Sequence, residues 1–316
     1  MERRRLGKSD LETAPLVFGG NVFGWTIDEA TSFQLLDAFV DAGFNMIDTA
    51  DVYSRWVPGN FGGESETILG RWLKRGNGHR DKVLIATKVG MDMGGEDKGL
   101  SMPYIVRAVE KSLQRLQIDH IDLYQSHQDD LETPLGETLA AYESLIKAGK
   151  VRVIGASNYT AERLKESLEV SAENDLPAYV CLQPHYNLCE RPAFEPELQP
   201  LCLEAGLGVI PYFSLASGFL TGKYRTEADL AKHARGERVR KYLNPRGLRI
   251  LAELDRLAGQ YNSTPAHLAL AWLLAQPAVT APIVSATNLD QFKDLVEATK
   301  LTLDPFDIEA LNQASE

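Results

Sequence analysis

The segment FNMIDTADVYS (residues 44–54) carries a short apolar run straight into a carboxylate. Phe44, Met46 and Ile47 have the character of a buried strand, Asp48 ends it, and Tyr53 follows in the next turn of chain. NMID (45–48) is one of several runs of this kind. The others are LVFG (16–19), VLIATK (83–88), IDLYQSH (121–127), VRVIGASN (151–158), YVCLQP (179–184), LGVIPY (207–212) and APIVSA (281–286). They are rich in Val, Ile and Leu and do not alternate cleanly with polar residues, as expected of strands buried on both faces. Helical patterns lie between them. SMPYIVRAVEKSLQRL sets Ile105, Ala108, Val109, Ser112, Leu113 and Leu116 on one stripe, with Ser101 as the expected N-cap. TAERLKESLEV opens on Thr160 and TNLDQFKDLVEA on Thr287. A series of β-then-α units predicts an α/β fold, a closed (β/α)8 TIM barrel with an outer ring of helices.

Three segments fall outside that rhythm. Residues 1–15 suit an N-terminal hairpin around Gly7 and Lys8, set to plug the barrel bottom. Residues 213–262 are too long for a simple loop and carry an extra helix near 245–261. Residues 304–315, after Asp304-Pro305, suit a C-terminal helix. No Pro-, Gly- or Ser-rich boundary interrupts the chain, so residues 1–316 read as a single domain.

Composition narrows the function. A chain of 316 residues with 44% hydrophobic and 24% charged residues suits a soluble barrel with a large core. The net charge of −11 repels phosphate and argues against nucleic-acid or anionic-membrane partners. No apolar run is long enough to span a bilayer, and no apolar stretch follows the basic start MERRRLGKSD, so no signal peptide is expected. Three cysteines without a CxxC pair fit a reducing cytoplasm better than a disulfide framework.

In a parallel barrel all strand C-termini emerge on one face, and that face carries the chemistry. Asp48, Lys88, His127, Ser157 with Asn158, Gln183 and Tyr212 end successive apolar runs. Each alone has an ordinary explanation: a helix cap, a solvated lysine, a satisfied histidine. Together on one rim they point to a site. A phenol has a pKa of about 10, and a neighbouring ammonium lowers it. Lys88 can supply that ammonium to Tyr53, Asp48 can hold Lys88, and His127 can orient a substrate oxygen. The set makes a general acid facing an oxyanion position. It suits protonation of a carbonyl oxygen as a hydride arrives from a bound cofactor. Ser157, Asn158 and Gln183 offer partners for a carboxamide, and Tyr212 offers a flat face for stacking. FGGNVFG lacks the GxGxxG spacing of a Rossmann site. HQDD (127–130) has no further ligand spacing, so no metal site is expected.

Over nearly its whole length the chain resembles the aldo-keto reductases. The matching segments are NMIDTADVYS, ATKVG, IDLYQSH, GKVRVIGASN, LQPHYNL, YFSLASGFLTGKY and PIVSATNLDQ. The resemblance implies a (β/α)8 barrel and NAD(P)H-dependent interconversion of carbonyls and alcohols. It implies a catalytic tetrad of Asp48, Tyr53, Lys88 and His127, with Tyr53 as proton donor. It implies nicotinamide contacts from Ser157, Asn158, Gln183 and Tyr212, and a pyrophosphate loop of Ser214, Leu215, Ser217, Gly218 and Lys223. The adenosine-phosphate end falls on Ser285, Thr287 and Gln291. The family often has an arginine or lysine in the SATNLDQ stretch to hold the 2′-phosphate of NADP, and here residues 285–291 contain none. The expected cofactor is still NADP(H), preferred modestly over NAD(H), with Lys293 or Arg225 supplying the charge. The expected substrate is a small carbonyl or alcohol.

Glycine-rich GGEDKG (94–99) and WVPGNFGG (56–63) are expected to be flexible rim loops, with Trp56 and Met91 as walls of the substrate pocket. ARGERVRKYLNPRG (234–247) is read as a solvated helix surface rather than a nucleic-acid site, with closure over cofactor phosphates as the alternative. Two other functions compete. A Schiff-base enzyme using Lys88 would need a neutral amine, which the Asp48 partner opposes. A regulatory subunit that binds nicotinamide as a sensor, as in the channel-associated relatives, would keep the same residues.

Overall fold

Inside a closed barrel every second residue of a strand points to the axis, so a barrel strand needs two apolar faces. The computed structural model describes residues 2–76, 78–232 and 236–316. A short antiparallel hairpin, β1 (Arg4–Arg5) and β2 (Glu12–Thr13), precedes the main sheet. The sheet is parallel: β3 (Val17–Gly19), β4 (Met46–Asp48), β5 (Leu84–Val89), β6 (Ile121–Ser126), β7 (Val151–Ser157), β8 (Cys181–Gln183), β9 (Gly208–Val209) and β10 (Ile283–Val284). Its order is β10-β3-β4-β5-β6-β7-β8-β9. Past β9, Thr280 donates its N–H to Val209 O at 2.8 Å and Ile283 to Pro211 O at 2.9 Å, which closes the barrel onto β10. The predicted (β/α)8 architecture is the one observed, and each strand lies inside its predicted run, but for one residue at the end of β5.

Val17, Met46, Ala86, Leu123, Cys181, Ile210 and Ala281 fill the barrel interior. Leu6 and Leu11 of the hairpin join that cluster from below, so the hairpin is the expected plug. A second, larger core lies between the outer faces of the strands and the helices. Between successive strands run the helices Glu29–Asp41, Glu64–Lys74, Met102–Leu116, Leu135–Lys147, Ala161–Glu173, Leu198–Ala205 and Pro265–Ala275, and Leu289–Ala298 follows β10. Among the described residues the two longer additional helices are Pro245–Tyr261 and Pro305–Ala314, beside the four-residue helices His79–Lys82, Glu227–Leu230 and Gly236–Val239. Asp307 joins them by accepting from Gln260 Nε2 at 3.0 Å and Tyr261 Oη at 2.7 Å.

Helix starts follow their caps. Thr160 accepts from Arg163 N–H as predicted. Asn244, Thr264 and Asp304 each cap a helix that opens on proline, where the missing N–H has no cost. Two expected caps differ. Ser101 precedes its helix but makes no side-chain cap bond: its N2 partner is Pro103, which has no N–H, and the first helical N–H, of Met102, goes to Glu137 Oε1 at 2.9 Å. The helix after β10 is capped by Asn288, not Thr287.

Gly7 turns the plugging hairpin with φ +56, and a Cβ there would sit 2.1 Å from Val180 O. Both the backbone angle and the contact forbid a side chain. Gly7→Ala is expected to destabilise the fold by roughly 2 kcal/mol or more. The check is the urea unfolding midpoint, and a midpoint equal to the parent's would show that the hairpin does not seal the barrel.

Candidate active site

Lys88, at the upper end of β5, has no exposed surface. An ammonium taken out of water must be fully paired. Its Nζ donates to Asp48 Oδ2 at 2.6 Å, to Thr49 O at 2.9 Å and to Tyr53 Oη at 2.8 Å, which uses all of its N–H groups. Burial holds the Lys88 pKa below its ordinary value, with the Asp48 charge opposing it. The other Asp48 oxygen, Oδ1, accepts from Gln125 Nε2 at 3.1 Å and Gln183 Nε2 at 2.9 Å. Gln125 was not singled out from the sequence. It pairs in register with Lys88 and points to the barrel axis two residues before His127.

Tyr53 accepts a hydrogen bond from Lys88, so its own proton is available elsewhere. Its Oη lies 3.5 Å from Asp48 Oδ2, too long to hold that proton firmly. Burial, and then the Asp48 charge, push the phenol pKa well above 10. This corrects the expectation of a lowered pKa. The Lys88 charge is shared with Asp48 on the same nitrogen, and burial outweighs what remains. His127 follows β6 and meets Tyr53 edge to face, with ring centroids 5.9 Å apart. Its Nδ1 is buried with no partner among the described residues. Burial, and then Lys88, pull its pKa well below 6.5, so the ring is neutral.

These groups open onto a cavity of about 830 Å³ at the C-terminal face of the barrel. Asp48, Tyr53 and His127 line it, and Lys88 lies beneath. Every residue expected at a cofactor lines it too: Ser157, Asn158, Gln183, Tyr212, Ser214, Leu215, Ser217, Gly218, Lys223, Ser285, Thr287 and Gln291. Several are already engaged. Ser157 Oγ donates to Gln183 O, and Asn158 Nδ2 to His127 O at 2.8 Å. Tyr212 Oη donates to Asn158 Oδ1 at 2.7 Å. Ser214 Oγ donates to Ile283 O, Ser285 Oγ to Gly19 O, and Thr287 to Gln291 Oε1. Gln183 gives its amide N–H groups to Asp48 and to Gln125 Oε1 at 3.1 Å.

Trp56 and Met91 line the cavity as expected, and Asn21, Trp25, Arg238 and Asp294 join them. Neither Lys293 nor Arg225 does. Arg225 is held by both oxygens of Asp255 at 2.8 Å, and Lys293 lies 3.9 Å from Asp290. Among the described residues, Lys223 and Arg238 are the cavity-lining cations. Arg238, in the basic stretch 234–247, is exposed and lies 5.5 Å over the Trp25 ring at the cavity edge. Ala234 and Arg235 of that stretch lie outside the described residues. Both rim loops carry hydrogen bonds: Glu64 accepts from the N–H groups of Phe61 and Gly62, and Asp97 accepts from Lys111 at 2.7 Å and Arg107 at 3.2 Å. No group of three or more His, Cys, Asp or Glu among the described residues could hold a metal ion.

The aldo/keto reductase family model matches residues 15–316. The chain is 35% identical to the uncharacterized oxidoreductase YrpG of Bacillus subtilis, over 99% of this chain and 95% of that protein. It is 32% identical to a probable voltage-gated potassium channel subunit beta of Arabidopsis thaliana, over 94% of this chain and 91% of that one. It is also 32% identical to the L-glyceraldehyde 3-phosphate reductase of Escherichia coli, over 94% of this chain and 87% of the reductase.

Two residues before Tyr53, Asp51 is buried, and its Oδ1 has no partner among the described residues. Neighbouring Glu66 is instead satisfied by Arg115 at 2.7 Å and Thr87 at 2.6 Å. Burial, and then the Glu66 charge, push the Asp51 pKa from 3.8 up to about 8. Between those values the folded protein keeps a proton that the unfolded chain has lost, so this group's contribution to stability falls as pH rises from about 4 to about 8. Asp51→Asn should flatten that fall and raise the unfolding midpoint at pH 8 relative to pH 5. Midpoints at both pH values decide it, and a variant as pH-sensitive as the parent would assign the slope elsewhere.

Proposed function

Because the chain belongs to the aldo/keto reductase family, we propose that it interconverts an aldehyde or ketone and its alcohol with a nicotinamide dinucleotide. NADP(H) is preferred over NAD(H), and Tyr53 is the proton donor. The observation that carries this reading is the 2.8 Å bond from Lys88 Nζ to Tyr53 Oη. A phenol oxygen that accepts from an ammonium has its hydrogen free for the cavity. Tyr53 is protonated at neutral pH, as an acid must be, and its raised pKa makes it a weak acid by itself. Loss of that proton leaves a phenolate against Lys88, where it is stabilised. Neutral His127 has an N–H with which to orient the carbonyl oxygen. Lys88 itself is no nucleophile, since its N–H groups are committed and it does not reach the cavity surface.

When bound, the nicotinamide supplies the hydride. Tyr212 would stack on it, and Asn158, Ser157 and Gln183 Oε1 would hold its carboxamide. The lining cations Lys223 and Arg238 would meet the phosphates, in place of Lys293 and Arg225. Free, buried Cys181, Cys189 and Cys202 fit a protein working in a reducing cytoplasm.

Tyr53→Phe should lower the rate of NADPH-dependent aldehyde reduction about 10²- to 10⁴-fold, while NADPH still quenches protein fluorescence. Lys88→Met should lose rate comparably and shift the pH–rate profile. Turnover near the parent's in both variants would remove this pair from the chemistry.

The 2′-phosphate carries roughly two negative charges. Arg238→Ala should raise KM for NADPH, leave NADH less affected, and weaken the salt dependence. Lys293→Ala should leave both cofactors alone. Equal effects on both cofactors would take Arg238 away from the 2′-phosphate.

A further inference from the structure

We propose that His185 is a positioning residue that backs Tyr212 and fixes the ring on which the nicotinamide stacks. This rests on the reading of Tyr212 given above. His185 follows β8 and Tyr212 follows β9. The two form a parallel bridge, and Tyr212 N–H donates to Pro184 O at 3.0 Å. Residues paired across adjacent strands carry their side chains on the same side. The rings lie 5.3 Å apart with planes 17° from parallel, an offset stack. Tyr212 lines the cavity and His185 does not, so the imidazole forms the layer behind the phenol. Phe213 meets both rings edge to face, 5.3 Å from His185 and 5.1 Å from Tyr212. With the bond from Tyr212 Oη to Asn158, the tyrosine is held at its backbone, its hydroxyl and one face.

Hydrogen bonding does not account for a histidine here. Its Nε2 is buried with no partner among the described residues, an arrangement that lowers stability. What the ring provides is a flat face. Burial lowers its pKa, with Glu190 opposing, which keeps that face uncharged near neutral pH. Without the backing ring, Tyr212 can tilt about its bond to Asn158 into the vacated space. The nicotinamide then loses its platform, while contacts at the adenosine end stay as they were.

The test titrates the full chain, by fluorescence, with NADP and with 2′-phospho-ADP-ribose, which is the same molecule without its nicotinamide ring. His185→Ala should weaken NADP binding roughly fivefold to tenfold and leave 2′-phospho-ADP-ribose unchanged. His185→Phe should restore NADP binding, because a flat face returns. If the alanine variant does not fold, His185→Gln, which fills space without a ring, replaces it. Unchanged NADP affinity, equal weakening of both ligands, or no rescue by phenylalanine would each overturn the proposal. Tyr212→Ala separates the two layers of argument. If it loses NADP affinity while His185→Ala does not, the backing role fails alone. If Tyr212→Ala binds NADP like the parent, the stacking role of Tyr212 has failed, and this inference with it.

Discussion

A lysine ammonium with no access to water organises the top of this barrel. Its desolvation costs several kcal/mol unless every N–H finds an acceptor in good geometry. Those acceptors come from the end of β4, from the residue after it, and from Tyr53 in the following loop. Asp48 is in turn held by Gln125 on β6 and Gln183 on β8. One buried charge therefore ties four strand ends into a single hydrogen-bonded unit. Removing any member leaves the others buried and under-satisfied, so the unit holds its geometry as a whole.

The layer below makes this affordable. The barrel interior is apolar from the hairpin plug up to the level of Ala86 and Leu123, and polarity begins one inward-facing residue higher. Charge and hydrogen bonds are confined to the end that opens to ligand. The low-dielectric floor strengthens each bond above it, and it also raises the Tyr53 pKa and lowers the His127 pKa.

Most of this was legible in the sequence because a barrel strand announces itself twice, by its apolar run and by the polar residue that ends it. Runs such as NMID, VLIATK and VRVIGASN carry both signals, and they locate β4, β5 and β7 to within about a residue at either end. What escaped depends on contacts between distant segments. Gln125 sits inside IDLYQSH, and only its register with Lys88 shows which way it faces. Ser101 has Pro103 where an N2 N–H would be, and the first N–H of its helix goes to Glu137 on another helix. Arg225 is near the phosphate loop in sequence, but Asp255 claims its guanidinium. Arg238 lines the cavity through its place over the Trp25 ring, a contact between segments more than two hundred residues apart. The sequence named the neighbours of Tyr53 correctly, but the direction of its pKa depends on burial, which neighbours alone do not determine.

The orienting histidine and the cofactor platform are joined through one residue. Asn158 Nδ2 donates to the carbonyl of His127, and its Oδ1 accepts from Tyr212. The same side chain thus spans the proposed acid centre and the proposed stacking ring. Its backbone has φ +58, a left-handed conformation that asparagine tolerates better than most residues. That turn lets a residue just past β7 send its amide across the rim instead of along the strand. Hydride transfer and proton transfer to one carbonyl require the two donors to be placed within fractions of an ångström of each other. A direct bridge of two short hydrogen bonds, one to the His127 backbone and one to the Tyr212 hydroxyl, ties the strand end that carries the histidine to the ring on the next rim segment.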